Sequence, residues 1–146
     1  MIENIANTTV AKFVDIYSQL DKDKLDLINE LYDHDVVFED PAHRIEGQQE
    51  LLDYFASLYS NISSCTFLIH NVIEHDDEAC LQWTMVYSHP KIEKGEIRNL
   101  DGMSYIRIAQ DKVIYHRDYF DLGAMVYEGL PLLGKVIKTV KERLGQ

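Results

Sequence analysis

Two aspartates stand where a carboxylate could move a proton. Asp40 closes the run Val37-Phe38-Glu39-Asp40-Pro41, a short apolar stretch ended by a proline. Pro41 has a fixed φ and no N–H, so the carboxylate is held at a strand end. Two readings follow from these residues alone. Asp40 is an Asx-turn residue whose oxygens accept backbone N–H groups, or it is a general base at the mouth of an apolar cavity.

The second aspartate lies in His116-Arg117-Asp118-Tyr119-Phe120-Asp121. Alternation along a strand puts Ile114, His116, Asp118 and Phe120 on one face and Tyr115, Arg117, Tyr119 and Asp121 on the other. Asp118 thus shares a face with apolar residues, where an ionised group needs a partner. His116 or an arginine from a neighbouring strand would satisfy it structurally; otherwise the carboxylate is left for chemistry. Tyr17 ends an apolar stripe, and its hydroxyl is either a core group or a donor to a carbonyl or anionic intermediate. Trp83, Met85 and Met103 read as apolar wall.

Other chemistries lack their residues. There is no HExxH, no phosphate-cradling glycine loop, no dinucleotide fingerprint and no GxSxG. The six histidines show no convincing ligand spacing, and only His43 near Asp40, with His116, suggests a metal site. The expectation is no metal and no cofactor.

The elements that must position these groups follow from periodicity. Thr8 or Thr9 caps a first helix carrying Val10, Phe13, Val14 and Tyr17 at i, i+3, i+4 and i+7. A second helix carries Leu25, Ile28, Leu31 and Tyr32, and Gly47 opens a third with Leu51, Leu52, Phe55, Leu58 and Tyr59 on its apolar face. Val36–Phe38 and His43–Ile45 are short and extended. Four long strands follow, at Cys65–Glu74, Ala79–Ser88, Gly95–Ile108 and Val113–Phe120, and their short links require antiparallel neighbours. Beyond Asp121 the chain turns helical, with Pro131 ahead of a tail carrying Val136, Ile137, Val140 and Leu144. Helices followed by a meander give an α+β fold, with no repeat or linker dividing residues 1–146.

The bulk numbers bound the partners. With 46% hydrophobic residues over 146 positions, one domain with a real core is expected. The net charge of −11, with basic residues scattered, opposes nucleic acid and anionic membranes. Two cysteines without a CxxC, no secretory signal and no long apolar run give a cytoplasmic protein with reduced thiols as the expectation.

Together Tyr17, Leu31-Tyr32, Val37-Phe38-Glu39-Asp40-Pro41, Gly47 and Arg117-Asp118-Tyr119-Phe120-Asp121-Leu122 resemble a known superfamily. It contains nuclear transport factor 2, ketosteroid isomerase, the SnoaL-type polyketide cyclases and limonene-1,2-epoxide hydrolase. The resemblance runs from the first helix to about Gly134. It implies a cystatin-like cone: N-terminal helices packed on a strongly curved antiparallel sheet, open at one end, with a C-terminal helical tail and a homodimer through the outer sheet face.

By resemblance, Asp40 matches the isomerase's proton-shuttling aspartate and Tyr17 its oxyanion-binding tyrosine, while Met103 stands in place of a second donor. Losing such a donor costs roughly 3–4 kcal/mol of transition-state stabilisation. Asp118 matches the epoxide hydrolase's catalytic aspartate, but Trp83 and Met85 replace that enzyme's arginine and partner aspartate. The implied site is an apolar cavity with Asp40, Tyr17 and Asp118 as catalytic groups, walled by His116, Trp83, Met85, Met103, Phe38, Phe55 and Phe120. If the two carboxylates lie within about 6 Å, repulsion leaves one protonated. Asp40 would then take an α-proton from a small hydrophobic carbonyl compound, Tyr17 steady the oxyanion and Asp118 relay a proton. The alternative is a non-catalytic small-molecule-binding or protein-interaction module of the same fold.

Overall fold

A computed structural model describes residues 4–145. Helix α1 spans Thr8–Gln19, and its cap is Asn7, whose side chain accepts from the N–H groups of Thr9 and Val10. The cap therefore lies just before the two expected threonines. Asn7 is itself fixed from the sheet, because Glu74 accepts from the Ala6 and Asn7 N–H groups at 2.9 Å. Val10, Phe13 and Tyr17 are buried, as the stripe requires, together with Ile16.

The second expected helix is shorter than its periodicity suggests. A 3-10 turn at Leu25–Leu27 leads into α2, the single turn Ile28–Leu31. Tyr32 already begins β1, Tyr32–Glu39, followed by β2, Arg44–Glu46. Gly47 carries φ 99° at the junction, a left-handed conformation that glycine adopts without a Cβ penalty, and α3 runs over Gln48–Asn61. The meander follows as β3 (Ser64–His75), β4 (Glu78–Ser88), β5 (Arg98–Ala109) and β6 (Lys112–Phe120). After it come α4, Leu122–Met125, and α5, Leu133–Arg143.

All six strands form one sheet in the order β2-β1-β6-β5-β4-β3. The β3–β4 and β5–β6 links are tight turns, the β4–β5 link is longer than expected, running over residues 89–97 with a 3-10 turn at Glu93–Gly95, and all three pairings are antiparallel as expected. The strongly curved, wholly antiparallel sheet is corrected. The sheet is open, with β2 and β3 as separate edges, and β1 pairs with β6 in parallel. Short links constrain only strands adjacent in sequence. β1 meets β6 after a crossover through α3 and the meander, and a long connection permits a parallel pair.

Helices α1 and α3 lie on this sheet, α1 against β3 and α3 against β1. The larger core joins Phe13, Leu31, Tyr32, Leu51, Leu81 and Ile106, and a smaller one gathers Trp83, Met85, Tyr87 and Leu100. The second is covered by α4, held by Tyr87 Oη donating to the Met125 carbonyl at 2.6 Å and Arg98 Nη2 to that of Ala124 at 2.8 Å. The two thiols are not neighbours: Cys65 is opposite Tyr87, whereas Cys80 is opposite Ile73 and Tyr105. Among the described residues no helix is long and apolar enough to cross a membrane.

Helix α5 exposes Val136 and Val140, with Leu144 exposed at its C-cap, and is tied down by Lys141, which donates to Asp121 and to Glu128. The Lys141 hydrogen bond, aided by the Ala124 N–H, holds the Asp121 carboxyl below its ordinary range. A depressed folded pKa means that the contribution is present above the unfolded value and lost as pH falls through the folded one. Protection of the amides over residues 133–143, with the intrinsic pH dependence of exchange divided out, should therefore fall in acid, and Lys141→Ala should lower it at neutral pH with the β4–β6 amides unchanged. Unaltered exchange in that variant would show that α5 is held by other contacts.

Candidate active site

One face of the sheet, α1, α3 and α4 enclose a cavity of about 300 Å³ with an almost wholly apolar wall. Phe38, Phe55, Trp83, Met85 and Phe120 line it, as do Tyr17, Asp40 and Asp118. His116 lies behind the wall, 1% exposed. Met103 does not line the cavity. It is 37% exposed and lies in a separate groove with His70, Thr84 and Tyr119. The pleat explains this, since Leu100, Ser104, Ile106 and Ile108 are the buried positions of β5 and Met103 alternates with them. The inward neighbour of Met103 is Ser104, which does carry a hydroxyl.

Asp40 is built into a turn and faces the cavity as well. Its Oδ1 accepts from the N–H groups of Ala42 and His43, each at 2.8 Å, and its own N–H donates to the His43 carbonyl at 3.0 Å. This is an Asx turn joining β1 to β2. Oδ2 accepts from the Tyr54 hydroxyl, which is also 3.1 Å from His43 Nδ1. Burial, and then the bond to Asp40, push the Tyr54 phenol well above its ordinary pKa. Both Asp40 oxygens are therefore occupied by protein donors.

Asp118 is held differently. Its Oδ1 accepts from Ser104 Oγ at 2.5 Å and pairs with His116 Nε2 at 2.6 Å. Among the described residues its Oδ2 has no protein hydrogen bond. Register supplies the first contact, since Ser104 and Asp118 are partners across β5 and β6. Ser104 is itself fixed by Trp83, whose Nε1–H donates to Oγ at 2.9 Å. The Trp83 ring lies where a Cβ on Gly102 would be, so the absence of a side chain at Gly102 makes the indole's position possible.

Behind Asp118 a chain of polar groups runs back to the cavity wall. His116 Nδ1 is 2.6 Å from the Tyr32 hydroxyl, which is 2.5 Å from the Tyr17 hydroxyl. The imidazole is packed among rings, with centroids 4.8 Å to Phe38 and 5.4 Å to Phe13. Parallel pairing of β1 with β6 sets Phe38 opposite His116. Burial raises the pKa of both tyrosines well above the ordinary phenol, with Asp118 adding to the effect. Both hydroxyls therefore keep their protons. The partner that the sequence demanded for Asp118 is His116.

His43 and His116 belong to separate clusters, and no three His, Cys, Asp or Glu side chains among the described residues are arranged to hold a metal ion. Burial pushes the Cys65 thiol at the cavity wall up to about 11, which makes it a poor nucleophile. The Tyr59 hydroxyl is buried at the wall and among the described residues has only the Cys65 thiol beside it. An unpaired buried hydroxyl is costly unless a ligand or water satisfies it.

Sequence reasoning passed over Tyr54, Ser104 and the polar roles of Tyr32 and Tyr59. Two signals were available: Leu51, Tyr54, Phe55 and Leu58 are spaced i, i+3, i+4 and i+7, and Ser104 alternates inward with Ile106. Nothing local marks the phenol of Tyr32 as a partner for a histidine 84 residues away.

The family model described as SnoaL-like domain matches residues 10–116. A putative SnoaL-like polyketide cyclase from Jannaschia is 14% identical with TM-score 0.72, covering 86% of this chain and 94% of its own. An NTF2-like protein of unknown function from Burkholderia pseudomallei is 15% identical with TM-score 0.74, covering 84% and 96%. An LEH-like epoxide hydrolase from M. tuberculosis is 18% identical with TM-score 0.66, covering 93% and 96%. No curated protein matches the chain.

Ser104 links Trp83 to Asp118, so its removal should be felt by both. Ser104→Ala leaves a buried indole N–H without its acceptor and should cost about 1–3 kcal/mol. Trp83 is the single tryptophan of the chain, so its fluorescence reports the site directly. A denaturation midpoint and emission maximum equal to the parent's would contradict this link.

Proposed function

We propose that this chain, which belongs to the SnoaL-like domain family, is a cofactor-independent proton-transfer enzyme acting on a small hydrophobic carbonyl compound. The fold family is known for isomerase- and cyclase-type chemistry on small hydrophobic molecules. The observation that carries the reading is the asymmetry of Asp118. One oxygen is fixed by Ser104 and His116, and the other has no hydrogen bond among the described residues, in a carboxyl that lines an apolar cavity. A base needs such an arrangement: held in place, dry, and with one lone pair uncommitted.

In the proposed reaction the C–H bond α to the carbonyl breaks and its proton passes to Asp118 Oδ2. The electron pair moves onto the carbonyl oxygen as an enolate. Return of the proton to another carbon gives isomerisation; attack of the enolate carbon on a second carbonyl gives ring closure. The Tyr59 hydroxyl, with only the Cys65 thiol beside it among the described residues, offers a donor to the substrate's oxygen. Asp40, with both oxygens engaged, takes the turn and the shape of the wall as its main duty. The role expected for Asp40 as base passes in this reading to Asp118.

A purely binding function is the second reading, and Asp40 favours it, because a carboxylate saturated by donors shapes a pocket without reacting. The two are separated by exchange of α-hydrogens in a small apolar ketone incubated in heavy water, followed by NMR. Asp118→Asn should slow protein-catalysed exchange by about 10²–10⁴-fold, the usual contribution of a positioned general base. Asp40→Asn should slow it less. Exchange that is absent from the parent protein, or equal in Asp118→Asn, would favour the binding module.

A further inference from the structure

The groups from Tyr17 to Asp118 admit a proton count. Three gaps separate them: Tyr17 to Tyr32 at 2.5 Å, Tyr32 to His116 Nδ1 at 2.6 Å, and His116 Nε2 to Asp118 at 2.6 Å. Polar atoms this close repel unless a proton lies between them, so each gap holds one. Two phenols and a neutral imidazole supply three protons. They fill the gaps in one sense only: Tyr17 donates to Tyr32, Tyr32 to Nδ1, and Nε2–H to Asp118. In that state Tyr17 has no proton left for the cavity and presents a lone pair. The reversed sense, with Tyr17 donating into the cavity, requires one proton more.

We propose that this chain ionises an enolic or phenolic hydroxyl bound at Tyr17, so that the site's natural ligand is a small apolar enol or phenol. This rests on the reading of Asp118 as the proton acceptor and adds the group that delivers to it. The ligand's O–H proton passes to Tyr17, that of Tyr17 to Tyr32, that of Tyr32 to His116 Nδ1, and that of Nε2 to Asp118. One O–H bond breaks in the ligand and one forms on the carboxyl, and the negative charge moves from Asp118 to the ligand oxygen. No proton leaves the cavity. Tyr17 ends as a donor to the new anion, and a neutral carboxylic acid stands in the same cavity. Tyr17 touches the ligand, whereas Tyr32 and His116 act through it as positioning residues.

The surroundings support transfer along this line. Phe13, Phe38 and Tyr17 pack on the imidazole, so water does not compete for its nitrogens. Chains of hydrogen bonds in a dry interior strengthen one another. The other titratable groups at the cavity are Asp40 with Tyr54 and His43, which bond among themselves, Tyr59 beside Cys65, Tyr87, which donates to the Met125 carbonyl, and His89, which accepts from the Lys91 N–H. None of these is hydrogen-bonded to the chain.

The test uses 4-nitrophenol, buffered below its solution pKa so that it is added neutral and its ionisation is read by absorbance. The parent protein should bind it with a phenolate band and no proton release to an indicator dye. Tyr32→Phe cuts the chain and should bind the probe without that band; Asp118→Asn should do the same, and Met103→Leu, in the separate groove outside the cavity, should keep it. In the parent, ¹⁵N NMR should show the proton of His116 moving from Nε2 to Nδ1 on binding. A neutral bound probe, no binding, proton release, a band that survives in Tyr32→Phe, or an unchanged His116 spectrum would each overturn the proposal. Ketone α-exchange lost in Asp118→Asn but kept in Tyr32→Phe would discard the relay and leave the proton-transfer reading standing.

Discussion

Every polar group at the back of the cavity depends on one short contact, His116 Nε2 to Asp118 Oδ1. A carboxyl lining an apolar cavity is costly without a partner, and the partner must itself be held in one orientation. Tyr32 does this from the other ring nitrogen, and the surrounding aromatic rings prevent the imidazole from turning. The fold can be understood as the means of assembling this contact. Residues two apart on β6 supply both members, β5 brings Ser104 beneath the carboxylate, and the parallel pairing with β1 places Phe38 over the ring.

The two aspartates show how environment divides one residue type between two duties. Asp40 receives backbone donors on one oxygen and a phenol on the other, an arrangement that makes a turn rigid. Asp118 meets both of its partners, Ser104 and His116, at one oxygen, which leaves the second for a ligand. Their positions in sequence look alike, each near the end of a strand. What separates them is where the donors come from. A turn supplies its own N–H groups within three residues, whereas Ser104 reaches Asp118 only through strand pairing.

Much of the fold was legible in the chain. Alternation located the four meander strands within a few residues, and the 3.6-residue stripe located α1 and α3. The second expected helix was misjudged because Leu25, Ile28, Leu31 and Tyr32 face inward in a 3-10 turn, a single α-turn and a strand start as readily as in a helix. The parallel β1–β6 pair was invisible, since no local pattern records which distant strand a short apolar run will join. At the site, the shared face of His116 and Asp118 was readable from period two. The inward face of Ser104 was equally readable but overlooked in favour of Met103. Tyr32 as the partner of His116 depends on the crossover and had no local sign.

The central claim concerns where protons lie, and neutron diffraction from deuterated crystals of the ligand-free protein near neutral pH locates them directly. The account requires deuterium on His116 Nε2, on the Tyr32 oxygen directed at Nδ1, and on the Tyr17 oxygen directed at Tyr32, with none on Asp118 Oδ2. Deuterium on Nδ1, or a deuterated Asp118 carboxyl in the empty site, would contradict it.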